Sequence, residues 1–128
     1  MTNNEYGFSL FELLIVLTII GILSAIAYPV YRHAINKTRR TEAKIALIKL
    51  ANRMEIYYLE NNNSYANANL ADLGVNFNTD KGFYRLSLSS TNNTYQLSAI
   101  ANFNDPYCYK LKLNELGENS SEPEGTCW

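Results

Sequence analysis

The residues best placed for chemistry sit close to the start of the chain. A polar stretch, residues 1–7, meets a long apolar run at the Gly7–Phe8 bond, and Glu12 is the sole charge between Phe8 and Tyr31. An ionised carboxylate within hydrocarbon costs about 2.5–3.5 kcal/mol even on lenient insertion scales, so Glu12 needs a partner. One reading places it at the membrane interface, reaching back to headgroups. Another begins with hydrolysis of Gly7–Phe8, which gives Phe8 an α-ammonium group. That cation then lies one helical turn from Glu12 of the same chain, or beside Glu12 of a neighbouring one.

Other candidates are weaker. Cys108 and Cys127 lie near the end of what reads as an exported domain, which favours a disulfide over a metal site or a reactive thiol. Closing that loop should contribute about 3 kcal/mol to a small domain. His33 is the only histidine and no nucleophile is placed by it, so it reads as a solvated interfacial residue. Arg32, Lys37, Arg39 and Arg40 form a cation cluster suited to lipid headgroups or neighbouring acids, and less to phosphates of a nucleic acid. Asn36-Lys37-Thr38, Asn62-Asn63-Ser64, Asn92-Asn93-Thr94 and Asn119-Ser120-Ser121 match the glycosylation pattern, but an Asn-rich chain produces it by chance. No phosphate-cradling glycine loop and no metal-ligand spacing is found, so neither an enzyme nor a cofactor is expected.

These residues need elements to hold them. Residues 8–27 as a helix would measure about 30 Å, the thickness of the bilayer's hydrocarbon core. Thr18, Gly21 and Ser24 are small enough to let a second helix come close. Pro29 bends this helix without ending it. Beyond it Ala46, Leu47, Leu50, Met54, Tyr57 and Tyr58 repeat at helical spacing, with Lys44, Lys49, Asn52, Arg53, Glu55 and Glu60 on the wet side. Asn61-Asn62-Asn63-Ser64 stops the helix. A linking region, residues 65–81, wraps it. Residues 83–89, 95–101 and 109–113 alternate as strands, with Tyr84, Leu86 and Leu88, then Tyr95, Leu97, Ala99 and Ala101, facing one way. Lys110 and Lys112 face opposite Leu111. A small sheet needs the apolar helix face as its cover, which makes an α+β fold with an antiparallel sheet.

The 128 residues leave room for one small head, and a net charge of −1 with a pI near 5.8 gives neither a basic field for nucleic acid nor an acidic tail. Protein partners fit better, and 10 tyrosines suit a wet, partly buried surface. Residues 1–7 are too short and polar for an ordinary signal peptide, so the span itself must act as the export signal. The leader carries Glu5 and no Lys or Arg, whereas cations follow the span. By the positive-inside rule alone, those cations would face the cytoplasm.

The run Gly7-Phe8-Ser9-Leu10-Phe11-Glu12-Leu13, followed by Ile19-Ile20-Gly21-Ile22-Leu23-Ser24-Ala25-Ile26-Ala27-Tyr28-Pro29, resembles the type IV pilin family with its class III prepilin signal. The resemblance implies that a prepilin peptidase cuts between Gly7 and Phe8, that Phe8 is N-methylated, and that Glu12 guides filament assembly. It overrides the charge rule and places the head in the periplasm. The order of parts then reads as leader 1–7, transmembrane and filament-core helix 8–28, amphipathic continuation 29–62, and globular head 63–128 with its sheet and disulfide loop, a pilin-like lollipop. Asp105-Pro106-Tyr107-Cys108 and the final Cys127-Trp128 resemble minor pilins of the PilE type in type IVa pili.

The implied function is a structural subunit, inserted in the inner membrane and then assembled into a surface pilus, supporting pilus assembly, twitching motility and adhesion. The implied partners are other pilin subunits, prepilin peptidase, the inner-membrane assembly machinery and the membrane. A type II secretion pseudopilin is the nearest alternative. A pilus-borne adhesin or DNA-binding module is another, and sequence charge speaks against DNA.

Overall fold

The computed structural model describes residues 6–128; residues 1–5 of the expected leader, Glu5 among them, lie outside the described residues. One helix, α1, runs Leu10–Glu60, and the chain divides into two compact units, Met1–Ile35 and Asn36–Trp128.

In the first unit, Ser9 starts the helix. Its hydroxyl accepts the Glu12 N–H at 3.2 Å and its carbonyl accepts the Leu13 N–H at 3.1 Å, satisfying donors that a helix start otherwise leaves bare. The helix carries on through Pro29. Its apolar side chains from Leu10 to Tyr31 are exposed, and α1 is long and apolar enough to cross a membrane. The Thr18 hydroxyl donates to the Leu14 carbonyl at 2.7 Å, so it adds no unpaired polar group to that surface.

In the second unit, Ala43, Leu47, Leu50 and Met54 form the buried stripe of α1. The helix ends where Asn62 and Asn63 take positive φ of 53° and 56°, and the Asn63 N–H closes back on the Tyr58 carbonyl at 3.0 Å. Residues 65–81 then cover the stripe: Tyr65, Leu70 and Leu73 are buried against it. Two α1 side chains tie this segment down, Tyr57 donating to the Ala66 carbonyl at 2.7 Å and Arg53 to that of Leu73 at 3.1 Å.

The sheet has four antiparallel strands in the order β1 Tyr84–Ser90, β2 Tyr95–Ala101, β3 Lys110–Asn114 and β4 Asn119–Glu122. Register aligns Leu86 with Ala99, and Ala99 with Leu111, so the apolar positions share one face and join the helix stripe in a single core. β2 has the bounds its alternation predicts, and β1 and β3 each lie one residue further on. β4 is not among the expected strands. Its residues Asn119, Ser120, Ser121 and Glu122 carry no apolar alternation, and backbone pairing with β3 is what makes it a strand.

Candidate functional site

At the expected cleavage position, Gly7 and Phe8 lie outside the helix in irregular backbone, and Phe8 is 89% exposed. The bond between them is open to an attacking group. Glu12 falls in the first turn of α1, where its negative charge sits at the favourable end of the helix dipole. The spacing from Ser9 to Glu12 is that of a capping box, of which the Ser9 half is formed. A methyl-sized group added at Gly21 would meet nothing within 4 Å, so this stretch of the helix is open to a neighbour.

In the head, Cys108 and Cys127 form the expected disulfide, with Cα atoms 5.9 Å apart. The cation cluster divides. Arg40 leaves the solvent for the core, at 6% exposure, and makes a two-pronged ion pair with Asp105, Nε and Nη2 each donating at 2.7 Å. This fork holds the Arg40 proton more tightly still than an ordinary guanidinium, against the opposing effect of burial. Arg39 lies over Phe83 and Phe103, 4.5 and 4.8 Å from the ring centroids. His33 is exposed on α1.

Glu55 is exposed on the wet side, as expected, and borders the core. It accepts the Tyr65 hydroxyl at 3.0 Å and the Tyr95 hydroxyl at 3.5 Å. Burial, with help from Glu55, pushes both phenols up to about 12.

Beside the core, α1 and the segment after it enclose a groove of about 590 Å³. Lys49 and Arg53 line it from the helix, Lys81, Asn76 and Asn78 from the other wall, with Glu42 and Asp80 the acids present. Glu42 accepts the Lys81 N–H at 2.8 Å through Oε1. Its Oε2 and the Tyr84 hydroxyl are buried without a hydrogen-bond partner. Phe77 is 65% exposed with Arg85 over its ring, 6.0 Å from the centroid. The outer face of the sheet carries Ser87, Ser98, Lys110 and Lys112, with Lys112 paired to Glu122 at 3.0 Å. That hydrogen bond lowers the Glu122 carboxyl below its usual range. Among the described residues no cluster of three or more His, Cys, Asp or Glu is placed to hold a metal ion.

Residues 2–28 match the family model for the prokaryotic N-terminal methylation motif. Residues 29–112 match the model described as type IV minor pilin ComP, DNA uptake sequence receptor. The chain belongs to the type IV pilin family. The type IV major fimbrial protein FimA of Dichelobacter nodosus (strain VCS1703A) is 32% identical over 123 residues, 94% of this chain and 72% of that protein. The type II secretion system core protein G of Escherichia coli (strain K12) is 27% identical over 139 aligned positions, covering 99% of this pilin and 93% of its own length. Fimbrial protein Q of Moraxella bovis is 54% identical over 39 residues, 30% of this chain, which spans only 25% of that relative.

This pilin is thus a structural subunit of the pilin and pseudopilin kind and not an enzyme. Sequence reasoning missed its buried ion pair. The signal was present, since Arg40, Ala43, Leu47, Leu50 and Met54 continue one helical stripe.

Proposed function

We propose that this pilin is a minor subunit of a type IV pilus, made with a leader that prepilin peptidase removes at Gly7–Phe8. One observation carries the reading. An accessible Gly7–Phe8 bond and an acid in the first helical turn stand at the mouth of a bilayer-length, wholly exposed apolar helix. Before assembly the helix spans the inner membrane and the head occupies the periplasm. During assembly, with the pilus machinery, Glu12 is neutralised by the methylated amino group of Phe8, in its own chain or in a subunit already in the filament. The assembled subunit stands on the cell surface, where it supports twitching motility and adhesion. Deleting the gene and measuring surface pili and type II secretion in the same strain tests this. Fewer pili with normal secretion is the expected result. Normal pili with lost secretion would make the chain a pseudopilin, in line with its likeness to core protein G.

A second reading is a DNA receptor carried on the pilus. It rests on the description of the family matched by residues 29–112, and on the groove that Lys49, Arg53 and Lys81 line. The net charge of −1 opposes DNA over the whole chain, so any such binding depends on this local grouping. Full-length protein in detergent micelles should then bind duplex DNA with a steep salt dependence, weakened by Lys49→Ala and Lys81→Ala. Binding that ignores both substitutions refutes the groove as the site.

A further inference from the structure

Asp105 lies in the connection between β2 and β3 at 2% exposure, and its carboxylate ties separate parts of the head together. Oδ2 accepts Arg40 Nε and Oδ1 accepts Arg40 Nη2, each at 2.7 Å, while Oδ1 also accepts the Cys108 backbone N–H at 3.3 Å. Phe103, in the same connection, lies under the Arg39 guanidinium and packs edge-on against Tyr84, with ring centroids 5.4 Å apart. The Ala101 N–H donates to the Tyr109 carbonyl at 2.8 Å and closes the base of the connection. Two successive arginines of α1 therefore grip one loop, and that loop delivers Cys108.

A buried ion pair seldom adds net stability over apolar side chains of similar volume. What a fork of guanidinium on carboxylate does supply is a fixed distance and plane. Here the group so fixed goes on to hold the backbone of Cys108. We propose that Asp105 is a positioning residue for oxidation of the head. Clamped on α1 by Arg40, it presents Cys108 to Cys127, so the closed disulfide is strongly favoured at equilibrium only when the β2–β3 connection is docked on the helix.

The oxidant is a disulfide, small or protein-borne. The thiolate of one cysteine attacks it, forming a mixed disulfide and expelling one oxidant thiolate. The thiolate of the second cysteine then attacks the mixed disulfide and expels the other. The S–S bond of the oxidant is broken, the Cys108–Cys127 bond is formed, and the two protons lost by the cysteines end on the two oxidant thiols. By linkage the closed bond in turn strengthens the Arg40–Asp105 clamp.

The test equilibrates the full-length chain, in detergent micelles, with mixtures of oxidised and reduced glutathione, and reads the equilibrium constant for the protein disulfide. Asp105→Asn should lower that constant about tenfold, since a charged acceptor for the Cys108 N–H is lost. The double variant Arg40→Met with Asp105→Leu refills the volume and removes both charges. It should fold with near-native stability and still show a constant about tenfold low, because nothing then holds the Cys108 N–H. A purely structural role would return the double variant to the wild-type constant, and that result overturns the proposal. An unchanged constant in Asp105→Asn overturns it as well. Should Asp105→Asn fail to fold, the double variant decides alone.

Discussion

Replacing Tyr84 by Phe should make the head more stable. Tyr84 is fully buried, and its hydroxyl has no hydrogen-bond partner. Burial pushes the phenol up to about 12, with Asp105 adding to the effect, Arg40 opposing it and Glu42 adding again. Phe keeps the edge-on contact with Phe103 and removes only the stranded oxygen. A buried polar group left unpaired costs about 1–3 kcal/mol, and the small void left by the oxygen returns part of that. The expected net gain is about 1 kcal/mol at pH 7. A second effect follows from the titration. The phenol loses its proton near 10 when unfolded and near 12 when folded, so between those values the unfolded chain binds fewer protons and stability falls as pH rises. Two pH units correspond to about 2–3 kcal/mol, a loss that Tyr84→Phe should remove. Urea denaturation of the full-length chain in mild detergent, followed by circular dichroism at pH 7 and from pH 10 to 12, measures both. A variant less stable than wild type at pH 7 by about 1 kcal/mol or more would refute the reasoning. The hydroxyl would then be held by ordered water reaching Glu42 Oε2, the other buried oxygen without a partner.

Cys127→Ser opens a loop with a sequence separation of 19 and should cost about 3 kcal/mol, read as a lower urea midpoint under non-reducing conditions. Gly74 has a φ of 69°, so Gly74→Ala should cost about 1 kcal/mol in the same assay, through backbone strain alone, since the added methyl would make only an ordinary contact with Arg53. Glu12→Gln should leave membrane insertion intact and remove the subunit from sheared filaments, as immunoblots of the two fractions would show; unchanged incorporation would make Glu12 an interfacial acid only.

Much of this fold could be read from local pattern. The buried stripe of α1 follows the 3.6-residue repeat, and β2 is visible because Tyr95, Leu97, Ala99 and Ala101 alternate against polar or exposed neighbours. Features that depend on distant partners could not be read this way. β4 is polar on both faces and exists through pairing with β3, a relation its own side chains do not advertise. Arg40 and Asp105 are 65 positions apart, and each had a simpler local explanation, one as a cation just beyond a membrane span and the other as part of the Asp105-Pro106-Tyr107-Cys108 run. Glu55 is solvated, as its place on the helix suggests, but its hydrogen bonds to Tyr65 and Tyr95 exist only because the fold brings those rings to it. The N-terminal motif, matched over residues 2–28, was legible because a glycine, an acid five residues later and a long apolar span occur together in consecutive sequence.

We propose that this pilin is cut at Gly7–Phe8 and built into a filament. Mass spectrometry of the subunit recovered from sheared pili tests it most directly. The expected subunit begins at Phe8 and carries one added methyl group on its amino terminus, with the Cys108–Cys127 bond intact. A filament subunit that still begins at Met1 would contradict it.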